Sequence, residues 1–311
     1  MNARPESNPE QTNGLAIPAR DVSVVLPARN EAAGLSDLLA SLQRHLPEAE
    51  VIVVDDASED DTRSTALDCG ATVVSHPYSK GNGAAIKSGV RHASRPYIIC
   101  MDADGQHRPE EIPKLMDRMA LGYDLVIGAR GRESQASGSR WLANHGYNLL
   151  ASWVVGHRVD DLTSGFRMFR ARRLREFLHL LPNGFSYPAT STMAFFRAGY
   201  SVGFVPITVQ ARHPSGKSHI RAFRDGLRFL LIIFRIATLY SPLKVFLPLA
   251  LLFAGFTVSY YSYTFVTAGR FTNFGALLGV TSVLVFLIGL VSEQITQMMY
   301  AQSRDGDQRE T

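Results

Sequence analysis

The sequence predicts an α/β fold, a mostly parallel β-sheet with helices on both faces, followed by two membrane-spanning helices. Three observations support this prediction. Up to residue 128, short apolar runs alternate with segments of helical periodicity, a pattern typical of parallel sheets. Each of these runs, apart from the third, ends in a polar cluster. Beyond residue 226 the apolar residues become much denser, and two runs there are long enough to cross a bilayer.

The composition narrows the class of protein before any motif is considered. The chain has 311 residues, 46% hydrophobic and 19% charged, which is ample material for a core. The net charge of +4 is modest, and basic residues gather just before the apolar C-terminal region, which favours anionic lipid headgroups over nucleic acid as a partner. Cys69 and Cys100 have no metal-ligand spacing, and both are expected to be small core residues.

The predicted elements follow one another regularly along the chain. Residues 1–20 are rich in Asn, Glu, Gln and Pro and carry no signal-peptide pattern, so they are expected to be a disordered tail before a cytoplasmic domain at 21–219. The predicted strands are 22–26, 51–54, 71–75, 97–100 and 124–128. The predicted helices are 35–46, 60–69, one opened by a glycine-rich turn at 79–87, and 109–119.

Two aspartates after the fourth strand are the central feature of this domain. Asp102 and Asp104 stand two residues apart at the end of a buried apolar run. Two carboxylates so placed can hold a hard divalent cation and leave positions open for a diphosphate. A turn that merely ends the strand is the alternative for an isolated pair of this kind, so the surrounding sequence must decide.

Polar clusters at the other strand ends supply that context. They are Pro27 to Glu31, Asp55 with Asp56, Asp102 to Gln106, and Arg130. In an open α/β sheet these ends converge on one crevice, where ligands bind. The glycine-rich turn, with Lys80, is a weaker sign of phosphate binding by backbone N–H groups. A dinucleotide-binding dehydrogenase is disfavoured because no G-x-G-x-x-G follows the first strand, and a Walker loop is absent too.

Taken together, four segments resemble the inverting family 2 glycosyltransferases of GT-A fold. They are VLPARNE at 25–31, VVDDASEDDT at 53–62, Lys80-Gly81, and MDADGQHRPE at 101–110. Within that family they are similar to the dolichol-phosphate mannosyltransferase branch, whose members move a sugar from a nucleotide diphosphate onto a polyprenyl phosphate. The resemblance covers residues 22 to about 220 in the order of that family.

The resemblance implies roles for the residues at the strand ends. Asp56 is expected to hydrogen-bond the base, whereas a turn-capping role for Asp55 is at least as well supported as a ligand contact. Mg²⁺ or Mn²⁺ is the implied cofactor, and His107 is expected to pack beside its site. The implied nucleotide-binding residues are Pro27, Ala28, Arg29, Glu31, Asp55, Asp56, Lys80, Asp102 and Ala103, and the implied metal-binding residues are Asp102, Asp104 and Gln106.

A second implied set binds the acceptor phosphate. Guanidinium groups pair phosphate oxygens bidentately, although each arginine alone could be a solvated loop charge. The set is Arg130, Arg140, Asn144, Arg212 and Lys217, and the implied catalytic residues are Asp104, Arg130 and Asp161, the last in the family-like segment DLTSGFR at 161–167. Whether Asp161 orients groups or acts as a base is left open. The loop at 212–219 departs from the family pattern by one extra residue and by His219 in a usual lysine position.

The C-terminal part of the sequence predicts a membrane anchor. Runs at about 243–266 and 274–291 form a predicted transmembrane hairpin within 241–300, and the lysines and arginines before it place both its ends, with the tail 301–311, in the cytoplasm. Segment 220–240 carries four arginines on one face, as expected for a helix in the bilayer interface or one packed on the catalytic domain. Gly275 and Gly279 would let the two spans, or neighbouring subunits in a homo-oligomer, pack closely.

The prediction is therefore a membrane-bound polyprenyl-phosphate hexosyltransferase of the bacterial inner membrane. A family 2 transferase with a glycan acceptor is one alternative. A processive synthase, which is one such transferase, is expected to contain a Q-x-x-R-W segment, and this sequence has none. A non-catalytic scaffold of the same fold is another, and the intact acidic clusters speak against it. Mannose, glucose and N-acetylhexosamine donors, with guanine or uracil as base, all remain open.

Overall fold

The computed structural model describes residues 16–131, 138–184, 187–209, 234, 238 and 241–308, with side chains for all of these except 138–144 and 299–308. The described residues fall into two compact units. The first contains the chain up to 144 together with 160–209, and the second contains 145–159 together with the C-terminal helices. Residues 1–15 of the predicted tail at 1–20, the segment at 220–240 except for residues 234 and 238, and the last three residues lie outside this description. Residues 16–20 of that tail are described.

In the described residues of the first unit, seven strands form one sheet, in the order β3-β2-β1-β4-β6-β5-β7. The strands are β1 Val22–Ala28, β2 Glu50–Asp55, β3 Thr72–Ser75, β4 Tyr97–Cys100, β5 Leu125–Arg130, β6 Arg167–Arg170 and β7 Val202–Ile207. Strand β6 runs antiparallel to β4 and β5, whereas every other pair is parallel. The predicted mostly parallel α/β sheet is confirmed.

Helices cover both faces of this sheet. Val24 and Leu26 of β1 join a buried apolar cluster with Leu35 of the first helix. On the opposite face, a Cβ added to Gly89 would come within 2.3 Å of Val25 Cγ1, so this helix packs directly on the strand. The helices of the first unit are α1 Ala32–His45, α2 Thr62–Asp68, α3 Asn82–His92, α4 Ile112–Ala120, α6 Ala171–Glu176 and α7 Tyr187–Arg197, with 3-10 turns at Ala19–Asp21 and Pro109–Glu111. Helix α5, Gly138–Val155, begins in the first unit and continues into the second.

The two cysteines differ in environment. Cys100 is buried in β4, and burial raises the pKa of its thiol to about 12. Cys69 is exposed, so its expected core position is wrong. It is the C-cap residue of α2, a seven-residue helix whose buried residues are Thr62 and Ala66.

The second unit contains the apolar hairpin, formed by α8 Pro242–Ala268 and α9 Asn273–Gln308. Both helices are long and apolar enough to span a membrane, over Pro242–Ala268 and Asn273–Met298, and few of their residues are buried, unlike those of core helices in soluble proteins. Gly275 and Gly279 face α8, since a Cβ at Gly275 would meet the Tyr261 ring at 2.3 Å. The small residues therefore serve the packing of the two helices on each other, and α9 continues as helix through most of the predicted tail.

Candidate active site

Asp102 and Asp104 lie just beyond the carboxyl end of β4, in a turn where both are half-buried. The Gln106 N–H donates to Asp104 Oδ1 at 3.1 Å, and Gly105 has a φ of +73° that favours glycine. The segment is thus both a turn and a pair of carboxylates. No group of three His, Cys, Asp or Glu side chains gathers in metal-binding fashion among the described residues. Two carboxylates and an amide suit a hard divalent cation whose other ligands come from a substrate or water.

The antiparallel strand β6 brings a distant segment beside this turn. Cys100 pairs with Arg167, and continuing that register places Gly165 opposite Asp102. On the other side of β6, the Gly128 N–H donates to the Phe166 carbonyl at 2.9 Å. Residues 161–165 are thereby held between the end of β4 and the end of β5, where Arg130 lies.

Arg130 and Asp161 form a bidentate ion pair. Arg130 Nε lies 2.8 Å from Asp161 Oδ2, and Nη2 lies 3.0 Å from Oδ1. Asp161 Oδ1 also accepts the N–H groups of Thr163 and Ser164, each at 3.0 Å. Burial opposes the charge on Asp161, but the Arg130 guanidinium and these N–H groups outweigh it and lower the pKa of the carboxyl. Burial likewise opposes the charge on Arg130, and Asp161 outweighs it and raises the pKa of the guanidinium.

The same carboxylate therefore belongs to a rigid network. An ionised carboxylate with a lowered pKa and six donors is a poor acceptor for a further proton. Of the two roles left open for Asp161, the geometry favours orientation of Arg130 over general-base chemistry.

A fully buried arginine, Arg167, lies beneath this network and was not predicted as a site residue. Its Nε donates to the Ser164 carbonyl at 2.6 Å, and its Nη2 donates to the Leu162 carbonyl at 3.0 Å. Its Nη1 donates to the hydroxyls of Ser191 and Thr192 on α7. Burial lowers the pKa of Arg167 to about 10, so it stays charged at neutral pH. The sequence signal was present, because this arginine ends the DLTSGFR segment.

His107 packs beside Asp102, as expected. Its ring stacks on Phe166 with centroids 5.3 Å apart, and its Nδ1 accepts the Asp102 N–H at 3.4 Å. Burial lowers the pKa of His107 to about 4. The ring is therefore neutral at physiological pH, and it serves as an apolar wall with one acceptor.

A second cluster surrounds Asp56 at the end of β2. Its Oδ1 accepts His76 Nδ1–H at 2.7 Å and the Lys80 N–H at 2.8 Å. Its Oδ2 accepts the Ser79 hydroxyl at 2.8 Å and the Gly81 N–H at 2.9 Å. Burial opposes ionisation, but the hydrogen bond from His76 and the three other donors lower the pKa of Asp56 to about 2. In this structure the carboxylate organises the loop that follows β3, and its contact with a base remains a prediction.

The glycine-rich turn before α3 differs from the expected phosphate cradle. The N–H groups of Lys80 and Gly81 bind Asp56, and those of Gly83 and Ala84 donate to the carbonyls of Gly184 and Asn183. The glycine at 83 is required because a Cβ there would lie 2.0 Å from the Pro182 carbonyl oxygen. The expectation that these N–H groups meet phosphate is wrong, since protein acceptors already occupy them. The Lys80 side chain is exposed, with its ammonium 5.6 Å from the centre of the Tyr78 ring.

The remaining strand-end residues join the first two strands. Arg29 Nη1 donates to the Ser79 hydroxyl at 3.0 Å, which links the end of β1 to the Asp56 loop. Pro27 and Ala28 end β1, where Ala28 pairs with Asp55. Glu31 is the N-cap residue of α1, and its N–H donates to Thr62 Oγ1. Asp55 is buried and accepts the Ser58 N–H at 2.9 Å, which is the turn-capping contact.

The structure thus brings together two sets of predicted residues. The first set surrounds His107: the charges of Asp104, Arg130 and Asp161 act on its ring, and the Asp102 N–H donates to it. In the second set, Arg29, Asp56 and Lys80 meet around Ser79. Ala103 is buried between the two aspartates. Arg140 and Asn144 lie on α5, with side chains outside the described part, and Arg212 and Lys217 lie outside the described residues.

Comparisons with known proteins agree with this geometry. Residues 23–178 match the family model "Glycosyl transferase family 2", and residues 241–298 match "GtrB C-terminal hairpin". The chain is 33% identical over 206 residues to an undecaprenyl-phosphate mannosyltransferase of Micrococcus luteus, covering 61% of this chain and 84% of that protein. It is 30% identical over 209 residues to a dolichyl-phosphate hexose transferase of Haloferax volcanii, covering 66% and 89%.

Among solved structures, glucosyl-3-phosphoglycerate synthase of Mycobacterium tuberculosis in complex with Mn²⁺ and UDP-glucose is similar. It aligns with a TM-score of 0.53 and 26% identity, over 69% of this chain and 79% of that one. This likeness supports the GT-A fold for the first unit, and the hairpin match, over 241–298, covers α8 and most of α9 in the second.

Proposed function

Because the chain belongs to glycosyl transferase family 2, we propose that it moves a hexose from a nucleoside-diphosphate sugar onto a polyprenyl phosphate. One observation carries the proposal: the segment at 161–165 links the two parts of the site, since Asp161 pairs with Arg130 and Gly165 lies against the Asp102 carboxylate. A guanidinium suited to a phosphate therefore adjoins the candidate diphosphate and metal site. The apolar hairpin adds a reason for a lipid acceptor. Relatives with undecaprenyl-phosphate and dolichyl-phosphate in their names support the same acceptor class.

The donor half of the site is proposed at the ends of β1, β2 and β4. Asp102, Asp104 and Gln106 would hold Mg²⁺ or Mn²⁺, and the Mn²⁺ and UDP-glucose of the M. tuberculosis synthase support this cofactor class. When bound, such a cation neutralises a departing nucleoside diphosphate. Side chains of this chain would hold the nucleotide along the crevice from Pro27 to Asp56.

The acceptor half is proposed at the end of β5. Asp161 fixes the Arg130 guanidinium, so that arginine is pre-organised for a phosphate before the acceptor arrives. A phosphate monoester has a second pKa near 6, so the acceptor is already a nucleophile at neutral pH and needs no strong base. The absence of a need for a strong base agrees with an Asp161 carboxylate that is ionised and already fully hydrogen-bonded. Attack in line on the anomeric carbon would invert its configuration.

The hairpin makes this a membrane protein, and we propose the orientation from the charges that flank it. Lysines and arginines precede α8, and the loop between α8 and α9 carries Arg270 alone among basic residues. The positive-inside rule then places the catalytic unit and both chain ends in the cytoplasm, with the bacterial inner membrane as the expected location. In this orientation the segment at 220–240 would lie at headgroup level, where a polyprenyl phosphate presents its charge.

The test is a transfer assay with a panel of donors. Membranes that contain the protein would be incubated with Mg²⁺ or Mn²⁺, undecaprenyl phosphate, and labelled UDP- and GDP-sugars. Label extracted into organic solvent from one donor, and lost in Asp104→Ala, supports the proposal and identifies the sugar. Absence of lipid-linked label from every donor, with folded protein, contradicts it and favours a glycan acceptor.

A further inference from the structure

The C-terminal half of α5, which belongs to the second unit, has an exposed apolar face. Leu149 and Trp153 are 58% and 51% exposed. They stand four residues apart, so they are neighbours on one side of the helix. Ala151 and Val154 point away from that side and are buried. The helix is therefore packed on one face, and its two largest exposed apolar side chains lie together on the other.

The end of α5 is attached to the start of α8. Lys244, the third residue of α8, donates from Nζ to the Val154 carbonyl at 2.7 Å and to the Trp153 carbonyl at 3.4 Å. The helix stops just beyond these carbonyls, at Gly156, which has a φ of +76°. A cation on the last carbonyls of a helix stabilises its C-terminus. This contact fixes Trp153 beside the first turn of a helix that is long and apolar enough to span a membrane.

The charged residues of the hairpin show where its apolar part begins. Lys244 lies in the first turn of α8, and Glu293 of α9 reaches the same turn, where its Oε2 accepts the Leu243 N–H at 3.3 Å. Between residues 245 and 292 the sequence has one charged residue, Arg270, in the loop at the other end of the hairpin. Charged side chains at the end of an apolar span lie at the level of the lipid headgroups. Trp153 is attached at that level.

A tryptophan at this level suits the lipid surface. Its ring is apolar and its N–H is a hydrogen-bond donor, and tryptophans are enriched at the membrane–water interface for this reason. A second protein is a weaker candidate, because a leucine and a tryptophan offer much less than the roughly 800 Å² that each partner buries in a stable interface. We propose that the face of α5 formed by Leu149 and Trp153 inserts into the headgroup region of the bilayer. This contact is additional to the hairpin, and it does not depend on the transferase reaction.

The experiment measures the quenching of Trp153 fluorescence in the full chain, reconstituted in phosphatidylcholine nanodiscs. The chain has two tryptophans, so Trp141→Phe leaves Trp153 as the only one. The matched control is Trp141→Phe/Trp153→Phe/Leu67→Trp, which moves the fluorophore to an exposed position on α2. The quenchers are phosphatidylcholine brominated near the glycerol, phosphatidylcholine brominated near the chain end, and aqueous iodide. Circular dichroism checks folding, and the difference between the wild-type chain and Trp153→Phe gives the same quantity with Trp141 intact.

The lipid brominated near the glycerol should quench Trp153 more than the lipid brominated near the chain end. This result corresponds to a depth at the edge of the hydrocarbon core, about 15 Å from the bilayer centre. Iodide should quench Trp153 less than it quenches the control. Iodide quenching equal to that of the control, without quenching by either lipid, would overturn the proposal and place the face in water. Protection from all three quenchers would also overturn it and indicate that protein, such as a second copy of the chain, covers the face.

Discussion

Gly165 lies directly against the Asp102 carboxylate, and a Cβ at position 165 would come within 2.6 Å of Asp102 Oδ2. The Tyr187 hydroxyl fixes the same glycine by donating to its carbonyl at 3.0 Å. This contact exists because β6 inserts antiparallel between β4 and β5. It makes residue 165 a determinant of where the Asp102 carboxylate points, although the two residues are far apart in sequence.

Gly165→Ala should therefore displace Asp102 and impair the donor site. An overpacked contact of this kind costs about 1–3 kcal/mol, and if the strain falls on the carboxylate we expect transfer to drop about tenfold or more. The measurement is the lipid-extraction assay at saturating acceptor, with metal concentration varied. Gly34→Ala on α1, where an added Cβ meets nothing within 4 Å, is the control and should leave transfer unchanged. Equal activity of the two variants would show that Asp102 needs no such placement.

Arg130 and Asp161 should act as one unit. We expect Arg130→Lys and Asp161→Asn each to lower transfer strongly, and the double variant to be little worse than either single one. The reason is that each change breaks the same bidentate pair, and with it the proposed phosphate contact of Arg130. A double-mutant cycle on kcat/KM should show a coupling above about 1 kcal/mol. Additive effects would instead indicate that Asp161 works independently, as a general base would.

Arg167 should be essential to the fold of the segment at 161–165. Arg167→Met would leave two buried carbonyls and two hydroxyls without their donor, at a cost of about 3 kcal/mol. For a unit of this size we expect Tm in detergent to fall by roughly 6–12 °C. Arg167→Lys retains the charge but makes fewer hydrogen bonds, so its Tm should lie between that of the wild-type chain and that of Arg167→Met. A Met variant as stable as the wild-type chain would refute this account of the buried arginine.

Acid stability should report on Asp56. The pKa of Asp56 is lowered from 3.8 to about 2, so its contribution is present above about pH 4 and is lost as the pH falls towards 2. The shift corresponds to about 2 kcal/mol. Thermal unfolding between pH 7 and pH 2 should show Asp56→Asn less stable at neutral pH and less sensitive to acid over that lower window. Parallel curves for the two chains would contradict the four-donor arrangement around this carboxylate.

Much of the fold could be predicted because it rests on local patterns. Five strands of the sheet are marked by apolar runs, and the aspartates after β4 are marked by their position at a strand end. Strand β6 was missed because it has four residues, two of them arginines, and because its burial depends on both neighbours. Strand β7 was missed because it contains Gly203 and Pro206, which the sheet tolerates at its edge.

The sequence predicted which residues lie in the candidate site, but not the hydrogen bonds and ion pairs that join them. The bond between Arg130 and Asp161 spans 31 residues, and no local pattern indicates it. The partnership of His76 with Asp56 was invisible for the same reason, since each residue taken alone is an ordinary loop residue. The glycines at 81 and 83 suggested a phosphate-binding turn because glycine allows another group to come close to the backbone. The sequence does not show which group that is. Here it is the chain itself, at 182–184.

The proposed reaction requires that the acceptor be recognised through its phosphate. The most direct measurement uses purified full-length protein in nanodiscs with the identified donor, and compares polyprenyl phosphate with the matched polyprenol, which has the same chain and no phosphate. We expect one nucleoside diphosphate to be released for each glycosylated lipid with the phosphate acceptor, and no transfer to the alcohol. Comparable transfer to the polyprenol, or nucleotide release independent of the lipid phosphate, would contradict it.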